Sequence, residues 1–242
     1  EPPVLEWLRS PSALVLCLIV VGIVARLVLA RVVGLGLAAS SAVAVSRPFS
    51  LSYFDHPPLS FWIPAAVTAL AGGEHRVLLR LPFILLFAGT TWMMFVLGAR
   101  LFGARAAAIA ALILNVSPVF SLSAGSWILP DGPLMFWMLA TTLCLERVLV
   151  PRERSSIEPQ RVAAWWIAAG ACAGLALLSK YHGSFLLAGA GMFVLTRREA
   201  RRWLRHPAPY LGAATAVAVF SPVLGWNARQ GWVSFTFQGG RG

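Results

Sequence analysis

An all-α bundle of membrane-spanning helices is the fold class that this sequence predicts. Of its 242 residues, 58% are hydrophobic and 12% are charged, whereas about a quarter of the residues in a soluble domain are charged. The apolar residues come in runs of about 20, long enough to cross a hydrocarbon core of roughly 30 Å. Basic loops between the spans explain the net charge of +11, so no nucleic-acid partner is expected.

Seven spans are predicted within a single transmembrane domain that covers residues 1–242. They are residues 11–33, 77–99, 105–124, 132–150, 162–179, 183–196 and 208–226. The first has no small-residue cleavage site, which indicates an anchor rather than a signal peptide. Residues 34–76 form a loop too long for a simple turn. Its second half, around Trp62, is apolar but too short to cross, so we expect interfacial helices here.

The distribution of arginine predicts the orientation of the chain. Arginines concentrate in three alternate loops, residues 99–105, 151–161 and 197–206. The positive-inside rule places these loops and the N-terminus in the cytoplasm, and the arginines of 197–206 are expected to meet anionic lipid. The opposite face then receives most of the other polar chemistry: Asp55, His56, Asp131, Lys180, Tyr181, His182, Trp226 and Asn227. This convergence is the strongest functional signal in the sequence.

Residues 52–59 place an acid, an imidazole and two prolines in succession, as Asp55, His56, Pro57 and Pro58. A residue before proline is pushed out of the α region, and proline itself fixes φ and has no N–H. The stretch therefore predicts a rigid corner at the membrane surface, a suitable place for chemistry. A helix-breaking linker with incidental polar residues is the alternative interpretation.

Two further loops hold candidate site residues, each with a structural alternative. Asp131 follows a proline, and an acid there meets the exposed N–H groups of an ordinary helix start. Lys180, the only lysine of the sequence, precedes Tyr181 and His182. Lysine and tyrosine at a membrane boundary commonly anchor a helix, yet a point cation flanked by hydrogen-bond donors also suits a phosphate. Asn227 is a weaker candidate for a substrate contact. It follows Trp226, which is expected to belong to the aromatic belt at the membrane interface.

Other site types find no support in the sequence. Cys17, Cys144 and Cys172 lie inside apolar spans without ligand spacing, so they are interpreted as packing residues. There is no glycine-rich phosphate loop and no nucleophile elbow, which argues against a nucleotide-driven pump. Arg26 lies within the first span, where a charge costs at least ~2.5–3.5 kcal/mol. It must therefore face a partner or reach the interface.

A set of short motifs occurs in a fixed order along nearly the whole chain. These are residues 53–59 (YFDHPPL), 80–82 (RLP), 101–103 (LFG), 117–118 (SP), 130–133 (PDGP), 179–181 (SKY) and 226–229 (WNAR). Together they resemble bacterial glycosyltransferase family 39, whose members are membrane-embedded GT-C transferases. That group is similar to protein O-mannosyltransferases, the lipid A aminoarabinose transferase and rhizobial lipopolysaccharide galacturonosyltransferases. Members are roughly twice as long, so the chain is expected to be their N-terminal membrane half.

The resemblance implies transfer of a sugar from a polyprenyl-phosphate donor to a periplasmic acceptor at the bacterial inner membrane. The acceptor would be lipopolysaccharide, lipid A, another glycan or a protein. Lys180 and His56 would bind the phosphate, Tyr181 would donate a hydrogen bond, and His182 and Asn227 would add substrate contacts. Asp55 would orient His56 or hold a divalent cation. Asp131 would be a second acid near the sugar.

One departure from the family pattern bears on activity. The resemblance predicts an Asp-Glu pair where this sequence has Ala38 and Ala39, and alanine cannot accept a proton. Either Asp55 or Asp131 serves as the base, or the chain is inactive. In the second case it would be a lipid-binding or scaffold component of a membrane complex. A transporter is disfavoured because no inverted repeat is visible.

Overall fold

The structure, a computed structural model, describes residues 10–150 and 159–240, and its regular elements there are all helical. The helices in chain order are α1 (Pro11–Val32), α2 (Gly36–Ser46), α3 (Leu59–Ala71), α4 (Arg76–Phe102), α5 (Ala104–Val116), α6 (Asp131–Leu149), α7 (Pro159–Ser179), α8 (Gly183–Thr196), α9 (Pro207–Arg229) and α10 (Val233–Gly239). A π-helical turn covers Phe120–Ala124, and a 3₁₀ helix covers Ala200–Arg205. The predicted all-α class is confirmed.

Within the described residues, five helices are long and apolar enough to cross a membrane: α1, α4, α6, α7 and α9. Each of the seven predicted spans corresponds to a helix. Two of them, α5 and α8, have 13 and 14 residues and are shorter than the roughly 20 that a full crossing needs. The protein is therefore a multi-pass membrane protein. Its assignment to a single domain stays a prediction, because its contacts group into two compact units.

The structure differs from the predicted span 105–124, which is interrupted. Helix α5 ends at Val116, and Ser117 turns to an extended conformation with φ −62° and ψ 118°. Pro118 explains the break, because a residue before proline is disfavoured in the α region. The chain then continues into the π-helical turn.

The long loop of residues 34–76 contains two short helices. Its apolar second half forms α3, as expected, and the stretch rich in small residues forms α2. Arg47 follows α2 and Glu74 lies after α3. The two side chains form a bidentate ion pair, with N–O distances of 2.9 and 3.2 Å. The orientation of α2 and α3 in the interface plane stays a prediction.

The first unit consists of residues 10–49 and 60–136 of the described chain. Its core holds Leu79 and Phe83 of α4, which are fully buried against α2. Arg26 does face partners: its guanidinium donates to Ser121 Oγ at 2.8 Å and lies 4.5 Å from the centre of the Phe87 ring.

Arg80 connects α4 to the end of α1 in the same unit. Its guanidinium donates to the carbonyl oxygens of Val33 and Gly34 at 2.9 and 2.6 Å. Helix C-termini leave carbonyls without intrahelical partners, so this buried arginine acts as a cap. A cation is also favoured there by the helix dipole.

The second unit consists of residues 50–59 and 137–240 of the described chain. Helices α7 and α9 run parallel and meet at Gly170 and Gly212. A Cβ atom built on Gly170 would lie 1.9 Å from the carbonyl oxygen of Gly212. Small residues allow such backbone contact between helices in membranes.

The two ends of this unit differ in chemistry. At one end, the 3₁₀ helix is held by Trp203, whose ring packs edge-on to Trp166 at 5.6 Å, and its arginines are exposed. At the other end, α7 passes into α8 through residues 180–182, and α9 passes into α10 through residues 230–232. Residues 50–59 join this second end.

Candidate functional site

A polar cavity of about 240 Å³ lies at this end of the second unit. It is lined by His56, Pro57, Lys180, Tyr181, His182 and Gln238. Four of the side chains predicted to bind substrate therefore border one space: His56, Lys180, Tyr181 and His182. They come from two segments separated by more than 120 residues of sequence.

The loop of residues 50–59 presents Asp55 and His56 from a buried base. Pro57, Pro58 and Tyr53 are buried, while the side chains of His56 and Asp55 are 30% and 48% exposed. Burial raises the pKa of the Tyr53 phenol, partly offset by a hydrogen bond with the backbone of Ser50, so it stays neutral at pH 7. The loop is thus anchored by uncharged side chains, while the side chains that can carry charge near neutral pH, Asp55 and His56, are partly exposed.

Asp55 and His56 form a close pair. The imidazole Nδ1 of His56 lies 3.0 Å from Oδ2 of Asp55. A carboxylate that accepts from Nδ1–H fixes the tautomer and orientation of an imidazole. Of the two, His56 borders the cavity and Asp55 lies behind it in the pair, so a proton could pass from the cavity to the imidazole or through it to the carboxylate.

The connection between α7 and α8 brings Lys180, Tyr181 and His182 together. The N–H of Lys180 still bonds Ala176 O at 3.0 Å, and its carbonyl accepts from the N–H of Gly183 at 3.0 Å. A Cβ atom on Gly183 would lie 3.0 Å from the backbone of Ala176, so only glycine fits this tight turn without displacement. The turn fixes the backbone from which the three side chains project.

Tyr181 is held by residues of α9 and α10. Its hydroxyl lies 2.6 Å from Ser234 Oγ, an O–H···O hydrogen bond. Its ring packs against Phe235 at 5.2 Å and edge-on to Phe220 at 6.3 Å. The phenol therefore borders the cavity in a defined orientation.

Asn227, predicted as a substrate contact, is fully buried and does not border the cavity. Its amide donates to Val223 O at 3.1 Å, and its Oδ1 accepts from the N–H of Ser234 at 3.1 Å. The structure thus gives it a role in holding backbone. A direct substrate contact stays a prediction.

Asp131 belongs to the first unit, where it begins α6. This matches the ordinary helix start considered above, and its role as a second acid stays a prediction. No group of three or more His, Cys, Asp or Glu side chains suited to a metal occurs within residues 10–150 and 159–240. The assignment of Asp55 as a ligand to a divalent cation also stays a prediction.

Gln238 is the site residue that sequence reasoning missed. Its Nε2 donates to the main-chain oxygen of Asp55, 183 positions earlier in the chain. No motif or periodicity marks this residue, since it lies in a short helix just after the last predicted span. Its contact depends wholly on the tertiary fold.

A comparison with protein-family models identifies the group to which the chain belongs. The model described as dolichyl-phosphate-mannose-protein mannosyltransferase matches residues 55–226, well over half of the sequence. The chain belongs to this family. This mannosyltransferase-family protein is therefore a membrane glycosyltransferase of the GT-C type. No curated protein and no solved structure matches it.

The family match covers most of the cavity but not all of it. Of the lining residues, it includes His56, Pro57 and residues 180–182, and it ends before Gln238. Helix α10 of this mannosyltransferase-family protein, which carries Gln238, lies outside the matched residues.

Proposed function

We propose that this protein transfers a sugar from a polyprenyl-phosphate donor to a periplasmic acceptor, such as lipopolysaccharide, lipid A or a protein. It would do so in the bacterial inner membrane, with its N-terminus in the cytoplasm and surrounding lipids as partners. The proposal depends on one observation, the cavity. This protein belongs to a family of membrane glycosyltransferases, and one lysine, two histidines and one tyrosine border a common space in it.

The chemistry of this lining suits a lipid-linked phosphate. Lys180 supplies a compact charge with three N–H donors, and Tyr181, His56 and His182 add further hydrogen-bonding groups. A water molecule occupies about 30 Å³ in the liquid, so a cavity of about 240 Å³ can hold a phosphate together with part of a sugar. The isoprenoid tail would remain in the surrounding lipid.

The reaction needs a base for the acceptor hydroxyl. In our proposal, Asp55 or the His56 it orients takes this proton as the acceptor oxygen bonds the sugar's anomeric carbon. The bond between that carbon and the phosphate oxygen breaks, and polyprenyl phosphate leaves with its negative charge near Lys180. The resemblance to the family also implies Asp131, which belongs to the first unit, as a second acid. In the alternative in which Asp55 holds a divalent cation, the ion would supply positive charge for the leaving phosphate and Asp55 would not be the base.

The test uses purified protein in lipid with a labelled polyprenyl-phosphate sugar. We expect sugar transfer by the unmodified protein and its loss in Asp55→Asn or Asp131→Asn. Lys180→Met should weaken binding of the polyprenyl phosphate much more than binding of the dephosphorylated alcohol. Arg205→Met, which removes an exposed cation from the other end of the second unit, is the matched control. Equal loss for both lipids would contradict a phosphate contact.

A second candidate function is supported by the residues that replace the expected acidic pair. Ala38 and Ala39 lie in α2, an 11-residue helix without an ionisable side chain, and Ala39 is buried against Phe83. An inactive chain would bind the lipid and serve as a component of a membrane complex. Lipid binding without transfer supports this function. Transfer gained in Ala38→Asp, an exposed position, would show that only the base is missing.

A further inference from the structure

Helix α10 follows α9 through a short turn at residues 230–232. Gly231 and Trp232 adopt left-handed conformations with φ of 65° and 62°. A residue with a Cβ atom is disfavoured in this conformation, so surrounding contacts must maintain it at Trp232.

Asn227 supplies these contacts from its buried position. Its carbonyl accepts from the N–H of Trp232 at 2.8 Å and from the N–H of Gln230 at 3.1 Å. Its side-chain Oδ1 accepts from the N–H of Ser234 at 3.1 Å. One buried asparagine therefore fixes the point at which α10 begins.

From that point, α10 contacts both segments that line the cavity. Ser234 bonds the Tyr181 hydroxyl at 2.6 Å. Phe237 packs against Phe54, with 4.5 Å between ring centres, and Gln238 donates to the main-chain oxygen of Asp55. The helix thus connects the turn after α7 to the corner that carries the Asp55–His56 pair.

We propose that Gln238 is a positioning residue, which holds the Asp55–His56 corner in register with Lys180 and Tyr181 through its hydrogen bond to the Asp55 backbone. This rests on the transfer reaction proposed above. The corner consists of two prolines and a short loop without secondary structure, so its Asp55 carbonyl has no strand or helix to hold it. Positioning errors of about 1 Å can cost 100-fold in rate.

The decisive variant is Gln238→Met, which keeps the length of the side chain and removes its N–H donors. We expect kcat to fall by about ten- to 100-fold, while the affinity for polyprenyl phosphate changes less than about two-fold because Lys180 and Tyr181 remain. Thr236→Ala is the control on the same helix. Its exposed hydroxyl bonds only carbonyls of the preceding turn, Trp232 O and Val233 O, among the hydrogen bonds of the described chain.

A second measurement does not depend on turnover. Amide hydrogen exchange in residues 50–59 should be about five-fold faster in Gln238→Met than in the unmodified protein or in Thr236→Ala. Unchanged exchange together with unchanged kcat would overturn the positioning role. If the unmodified protein transfers no sugar, the proposed function fails, and the exchange rates alone decide whether Gln238 holds the corner. A parallel loss of phosphate affinity and kcat would instead identify Gln238 as a direct ligand contact and refute the proposal.

Discussion

The contact between α7 and α9 is the place where one added methyl group should matter most. In Gly170→Ala, the new Cβ would lie 1.9 Å from Gly212 O and 2.7 Å from Gly212 C, both backbone atoms. Neither can rotate away, as the end of a side chain could. To reach ordinary contact at 3.4 Å, the two helices must separate locally by about 1.5 Å, which forfeits much of the dispersion energy of their interface.

The expected loss of stability follows from two opposing terms. Overpacking of a well-packed contact costs typically 1–3 kcal/mol, and a clash with backbone places this variant at the upper end. Replacing glycine by alanine within a helix returns up to about 1 kcal/mol of propensity. The net loss is therefore about 2 kcal/mol, or roughly a 30-fold lower ratio of folded to unfolded protein.

Unfolding in mixed micelles with increasing SDS, followed by tryptophan fluorescence, measures this change. The matched control is Gly189→Ala in α8, where an added Cβ meets nothing within 4 Å and stability should stay constant or rise. Gly212→Ala should resemble Gly170→Ala, because its Cβ would lie 2.5 Å from Trp166 O. If Gly170→Ala unfolds at the same SDS fraction as Gly189→Ala, the close approach of the two helices is refuted.

Three other perturbations have defined outcomes. Arg80→Met should destabilise the protein by about 2 kcal/mol in the same SDS titration, because the carbonyls that end α1 lose charged donors; no change would contradict the cap. Arg47 lowers the pKa of the Glu74 carboxyl through a hydrogen bond and charge attraction. The ion pair therefore stabilises the folded protein fully above the ordinary carboxyl pKa of 4.5, and this stabilisation is lost as the pH falls through the lowered pKa. In an NMR titration, Arg47→Gln should raise the pKa of Glu74. Asp55→Asn should lower kcat by about 10²–10⁴ and leave binding of polyprenyl phosphate intact, and a lipid-binding assay beside the kinetics separates the two effects.

Most of the helical pattern is predictable because it depends on local composition. The span at residues 183–196 coincides with α8, which is bounded by Gly183 and the arginines that follow Thr196. The break after Val116 was also encoded locally, in Ser117 and Pro118, but a long apolar run obscured it. Hydropathy averages over many residues, whereas one proline acts at a single backbone position.

The candidate site was predictable only for residues whose place in the site follows from the loop in which they lie. Alternation of spans places His56 and residues 180–182 on one face, and the structure has them around one cavity. The same reasoning grouped Asn227 with them, but its side chain turns inward to bind backbone. The place of Gln238 in the site could not be inferred, because it follows from the left-handed turn at Trp232 rather than from any sequence pattern. The roles of these residues in substrate binding and catalysis stay predictions.

The occurrence of lysine at a single position has a practical consequence. Lys180 is the only lysine among these 242 residues, and it borders the cavity. A mild amine-reactive dye or a lysine-directed covalent inhibitor would therefore have one side-chain target in this part of the protein. Such reagents could report occupancy of the cavity, since a bound anionic lipid would shield the amine from acylation.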